Sequence, residues 1–161
     1  MVIRHLKAED QAVFLAFCQD FYSGGAVLHA VDPDNFRRTF EACVSGNPYT
    51  EGFLLEVDGQ PAGYILVSHT WSNEVGGMVA LLEELYFTPE FRGKGLGTQA
   101  LEWFREQYAS ARRLRLEVNR ENEGAIRLYQ RKGYHFLEYL QMVEEHGADS
   151  RANAVVKPTL V

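Results

Sequence analysis

The sequence predicts one α/β domain, a mixed and mostly antiparallel central sheet flanked by helices. Asp58-Gly59 stands between two apolar runs, residues 52–57 and 60–69, and Asp-Gly is a two-residue hairpin signal. Apolar residues at helical spacing fill stretches on either side of that hairpin, with Val13, Phe14, Phe17, Cys18 and Phe21 on one stripe. Late in the chain, helix-like and strand-like segments alternate, as in a sheet with crossover helices.

Residues 2–6 read as a short strand and residues 8–22 as a helix, ended by Ser23-Gly24-Gly25. Asp34 is an N-cap for a second helix running to about Val44, closed by Ser45-Gly46-Asn47-Pro48. The hairpin comes next, and a loop over 71–77 leads to a strand over 78–87. A glycine-rich turn opens a helix that runs to about Tyr108. A strand at 113–118 and a helix at 123–132 come after it, with Gly133 placed to end that helix after Arg131 and Lys132. Residues 134–144 read as a final strand. The domain thus occupies 1–146, and 147–161 form a tail with little pattern.

A chain of 161 residues fits one domain with a real core. Its formal net charge of −6 argues against a nucleic-acid partner, whose backbone rewards clustered lysine and arginine. Cys18 and Cys43 are the only cysteines, in no CxxC spacing, and the five histidines form no HxxxH or HxH pair. No metal site is expected. The first residues lack the apolar run of a signal peptide, and no stretch is long enough to span a bilayer. A cytoplasmic protein with no membrane partner is the plain reading.

The richest segment is 85–104. Gly93, Gly95 and Gly97 leave backbone N–H groups uncovered at a helix N-terminus, where orphan donors and the positive dipole end favour phosphate. Arg92 and Lys94 add two cations. A P-loop reading fails, because Thr88 stands where the first glycine belongs and Gly95 follows the lysine. Gly95-Leu96-Gly97-Thr98-Gln99-Ala100 matches a dinucleotide fingerprint, with Glu117 at a suitable distance. Yet residues 88–94 separate it from the strand end, and only about sixty residues remain for a second nucleotide-binding half.

Arg92-x-x-Gly95-x-Gly97 instead resembles the Q/R-x-x-G-x-G/A motif of the GNAT (general N-acetyltransferase) superfamily. Asn122-x-x-Ala125-x-x-Leu128-Tyr129-x-x-x-Gly133-Tyr134 is similar to that family's N-x-x-A-x-x-L-Y-x-x-x-G-F, in the same order and separation. The opening Ile3-Arg4-x-Leu6 with Glu9-Asp10 also looks like a GNAT start, so the resemblance covers 1–144. It implies a V-shaped splay between the two central strands and acetyl-CoA as co-substrate. The loop Arg92, Gly93, Lys94, Gly95, Leu96, Gly97 and Thr98 would hold the pyrophosphate. Leu85, Tyr86 and Phe87 would pair through their backbones with the pantetheine arm, which Asn122 and Ala125 would contact. Homodimers are frequent in the superfamily.

Acetyl transfer to an amine needs a proton acceptor, since a lysine-like amine has a pKa near ~10.4 and is mostly protonated at pH 7. The leaving thiolate benefits from a proton donor. Glu83 and Glu84 interrupt an apolar strand; successive side chains point to opposite faces, so at least one carboxylate meets the interior. The bland alternative for either is an arginine pair or an open sheet end. Residues 82–97 also resemble polyamine acetyltransferases, L-E-D-F-F-V leading to R-G-x-G-x-G. There Glu83 falls on the glutamate thought to accept the proton through water, and Glu84 on its neighbouring aspartate.

The resemblance makes Tyr129 the acid; the alternative is a core aromatic. Asn122 has its own alternative, a helix N-cap. Trp71 and Glu74 in the predicted loop, with Tyr22 and Glu84, are candidates for the acceptor site through ring and charge contacts. The acceptor is read as a small or polycationic primary amine. A protein N-terminus or lysine is the enzymatic alternative, and a non-catalytic acyl-CoA sensor is the alternative outside enzymes.

Overall fold

The computed structural model describes residues 1–24, 31–144 and 146. Five strands form one sheet in chain order: β1 (Val2–His5), β2 (Thr50–Val57), β3 (Gln60–Ser72), β4 (Gly77–Phe87) and β5 (Arg113–Leu116). The first three pairings are antiparallel, and β4 pairs β5 in parallel. The helices are α1 (Gln11–Ser23), α2 (Pro33–Val44), α3 (Leu96–Gln107) and α4 (Glu123–Arg131). Short 3-10 turns stand at Ala8–Asp10 and Pro89–Phe91.

Strand alternation divides the core between two faces. Leu54, Tyr64 and Tyr86 pack with Phe14, Phe17, Phe36 and Phe40 of α1 and α2. Phe53, Leu55, Ile65, Val67 and Leu82 pack with Leu101 and Phe104 of α3 on the other face. The hairpin turn has positive φ at both central residues, 52° at Asp58 and 76° at Gly59, as the primed turns that suit twisted strands require. At the edge, Arg4 ties β1 to the start of α1 through Asp10 (2.7 Å) and to β2 through Glu56 (2.9 Å). That guanidinium holds the Asp10 carboxyl below its usual range.

Four expected boundaries change. Asp32, not Asp34, caps α2: its carboxylate accepts from the Asp34 N–H at 3.0 Å, because Pro33 takes the first helical position, where its missing N–H costs nothing. The expected loop over 71–77 shrinks to a turn at 73–76, since Trp71 pairs Met78 and Ser72 pairs Gly77. β5 stops at Leu116 rather than 118, where its ladder with β4 ends. Residues 134–144 form no strand. Their apolarity signals strand propensity only, and without a ladder partner Phe136, Leu140, Met142 and Val143 stay exposed. The expected 147–161 tail lies outside the described residues.

Two irregularities in β4 position the site. Leu66 pairs Glu84 but Val67 pairs Leu82, so Glu83 is an extra residue, a β-bulge. The β4–β5 ladder ends one residue earlier, at Leu82 opposite Leu116. Beyond that point the two strands splay apart. Gly63 of β3 crosses the end of β4 so closely that a Cβ there would lie 1.9 Å from the Tyr86 carbonyl oxygen.

Candidate active site

The splay opens a cavity of about 650 Å³. One wall is β4 from Leu82 to Phe87; the other is Leu116 to Asn119 with Asn122 and Tyr129, and the C-terminal end of α1 closes one side. The bulge sends the two neighbouring glutamates into different surroundings. Glu83 is exposed and accepts a hydrogen bond from Ser68 Oγ at 2.5 Å. Glu84 turns inward, where Tyr22 Oη donates to its Oε1 at 2.5 Å and Tyr64 Oη donates to its Oε2. Burial raises its pKa, against the two phenol donors that favour the charged form. The same burial, with the Glu84 charge alongside, raises both phenols and keeps them protonated.

Tyr129 faces this carboxylate wall from α4. Its phenol is pushed up by burial alone and so keeps its proton at neutral pH. Local sequence sets its position. Asn122 caps the helix, its Oδ1 accepting from the Ala125 N–H at 3.1 Å. At the other end Gly133, φ 90°, donates to the Gln130 carbonyl, and the Tyr134 N–H donates to the Tyr129 carbonyl, each at 3.0 Å. This pair of bonds is a Schellman motif. The motif Asn122 to Tyr134 thus builds a helix capped at both ends around one inward tyrosine.

The glycine loop joins the β4 wall to α3. Arg92 Nε donates to the Phe87 carbonyl at 2.8 Å, and its guanidinium lies 5.5 Å from the centre of the Tyr86 ring. Gly95 is the N-cap of α3 with φ 76°, a conformation that suits glycine. A Cβ at Gly97 would meet only Leu128 Cδ2, at 3.8 Å, so the first turn of α3 is approachable. These donors beside Arg92 and Lys94 fit a phosphate group.

Tyr129, Glu83, Glu84, Leu85, Tyr86, Phe87, Arg92 and Asn122 therefore meet around one cavity. Gly93 to Thr98 and Ala125 lie outside its lining, in the α3 N-terminus and the first turn of α4. Trp71 and Glu74 are not brought there. Trp71 is 67% exposed at the far end of the β3–β4 hairpin, and Glu74 is paired with Arg113 at 3.0 Å. Five strand positions separate Met78, the partner of Trp71, from Glu83, about 17 Å at the usual rise per residue.

Tyr64 was missed in the sequence, although a buried carboxylate demands donors and Tyr64 shares a strand face with Leu66 and Ser68. A second cavity of about 360 Å³ was also missed. It lies under α2, lined by Arg38, Thr39, Ala42, Thr50, Leu66 and Ser68, and it reaches the same Glu83 and Glu84. Among the described residues no group of three or more His, Cys, Asp or Glu side chains gathers as a metal site.

Residues 12–134 match the acetyltransferase (GNAT) family. The chain belongs to that family. GNAT relatives include an uncharacterized N-acetyltransferase of Methanocaldococcus jannaschii, 36% identical over 101 residues, 57% of this chain and 44% of the relative. An aminoalkylphosphonate N-acetyltransferase of Salmonella typhimurium is 27% identical over 135 residues, 82% of this chain and 83% of that one. The chain spans less than half the length of the first of these.

Solved structures share the GNAT fold. An integron cassette protein from a salt-marsh metagenome has a TM-score of 0.75 at 22% identity, covering 90% of each chain. An aminoglycoside N-acetyltransferase in complex with CoA has a TM-score of 0.70 at 16% identity, covering 91% of this chain and 95% of that one. At these identities the likeness is one of fold.

Proposed function

We propose that this chain transfers the acetyl group of acetyl-CoA to a small primary amine by direct attack. The observation that carries the reading is one cavity lined by both a half-buried carboxylate with raised pKa on β4 and a protonated phenol on α4. Acetyl-CoA supplies an acyl thioester. The first turn of α3, with Arg92 and Lys94, would hold its diphosphate, and the backbone of Leu85 to Phe87, beyond the end of the β5 ladder, its pantetheine arm.

Glu84 is the base. Burial makes it a better proton acceptor than a solvated carboxylate, and it takes the proton that the ammonium must lose before its nitrogen can attack. Glu83, exposed at the bulge, attracts the ammonium and passes its proton inward through water. As the C–N bond forms and the C–S bond breaks, Tyr129 gives its phenolic proton to the departing sulfur. The aminoalkylphosphonate-acetylating relative supports a small-molecule acceptor over a protein lysine or N-terminus.

The two free cysteines support a cytoplasmic setting, and among the described residues no helix is long and apolar enough to cross a membrane. The exposed apolar run from Phe136 to Val143 supports a homodimer, which light scattering would detect. Thiol release from acetyl-CoA, slow in water and accelerated by an amine panel, tests the enzymatic reading. Tight CoA binding with no turnover on any amine would replace it with an acyl-CoA sensor.

A further inference from the structure

The cavity under α2 bears on which amine is accepted, a role that rests on the acetyl-transfer reading. Its lining carries both signs of charge. Glu83 and Glu84 of β4 are shared with the splay, while Arg38 comes from α2. Hydroxyls of Thr39, Thr50 and Ser68 complete the lining, with Leu66 and Ala42.

Among the described residues Arg38 has only a loose carboxylate partner. Asp34 lies 3.8 Å away and is shared with Arg37, which also holds Glu41 at 2.8 Å. All of these side chains are well exposed, and exposed pairs of this kind contribute little. The other guanidinium contact is to the neutral Asn35 amide oxygen. The cavity's size, about 360 Å³, lies at the small end of ligand pockets, so it suits a small molecule rather than a polypeptide.

We propose that the acceptor is a short primary amine carrying an anionic group, either carboxylate or phosphonate, and that Arg38 selects it. The ammonium end faces Glu83 and Glu84, where it loses its proton, and the anionic end reaches the guanidinium, a donor suited to paired oxygens. A diamine of the same length would put its second ammonium against Arg38, so the device also rejects. The polycationic acceptor drawn from the sequence is the reading that this charge arrangement opposes.

The test is thiol-release kinetics at saturating acetyl-CoA with four three-carbon acceptors: propylamine, 1,3-diaminopropane, 3-aminopropanoate and 3-aminopropylphosphonate. One or both anion-bearing amines should exceed propylamine in kcat/KM by about tenfold or more, through KM, with the diamine poorest. The two anionic arms decide between carboxylate and phosphonate. Arg38→Met should collapse the ratio of anionic amine to propylamine about tenfold, and Arg38→Lys should restore part of it.

A ratio unchanged in Arg38→Met, or diaminopropane as the best acceptor, would overturn the proposal. Calorimetric binding of 3-aminopropylphosphonate to the CoA-saturated protein separates the two readings. Binding that weakens in Arg38→Met without turnover of any amine would sink acetyl transfer and keep the charge selection. Turnover of propylamine with binding indifferent to Arg38 would do the reverse.

Discussion

The two walls of the splay are built to different standards. β4 is laddered on both sides over its first half, and its inward residues are backed by Tyr64, Phe17 and Phe21; Glu84 is held by two phenols. The opposite wall is thinner. Every residue of β5 is only half-buried, α4 has no buried residue, and burial is the sole influence on the Tyr129 phenol. The proposed base, Glu84, sits in a wall fixed by packing, and the proposed acid, Tyr129, in one fixed mainly by its two helix caps. Precision in the second wall therefore depends more on what binds between them.

Removing the group held by the firm wall should cost most. At pH 7 an alkyl amine lies more than 3 units below its pKa of ~10.4, so Glu84→Gln should lower kcat about 10³-fold. It should also remove the acid limb of the pH–rate profile; a limb that persists would move the base to Glu83. The thin wall should respond most to ligand. CoA at a hundred times its Kd should stabilise the protein by about 2.7 kcal/mol, with amide exchange slowed chiefly across 113–131. Slowing confined to β4 would break the contrast.

Tyr129→Phe should cost less than the glutamate change. A thiol of pKa near ~8.5 is a tolerable leaving group at pH 7, so a loss of about 30-fold in kcat is expected with little change in the KM for acetyl-CoA. The smallest effect is on stability. Glu84 has a raised pKa in the fold, so its contribution is full below the unfolded carboxylate pKa, about 4.3, and is lost as pH rises through the folded value. Glu84→Gln should therefore melt higher than the parent at neutral pH, with the gap narrowing in acid. A gap that widened in acid would mean that the phenol bonds outweigh burial.

Features coded by neighbours in sequence were legible. Asp58-Gly59 made its turn, the glycine loop opened α3, and Asn122 to Tyr134 made a capped helix that carries Tyr129 into the cleft. What escaped was set by distant pairings. Tyr22 lies 62 positions from Glu84 and Tyr64 lies 20, and no local pattern announces either bond. The bulge escaped for the same reason, since it exists only in the register between β3 and β4. Residues 134–144 show the converse error, where composition promised a strand that pairing did not supply.

The parallel join of β4 and β5 has a consequence for assembly. β2, β3 and β4 meet through short turns, but β1 reaches β2 only across α1 and α2, and β5 reaches β4 only after the chain has gone out along α3 and back. Closing such long loops is slow, so the two hairpins should consolidate before the β1–β2 and β4–β5 pairings. A nascent chain halted before Arg113 would already own its proposed proton acceptor while lacking the cleft, so catalytic competence should emerge only once β5 has joined β4.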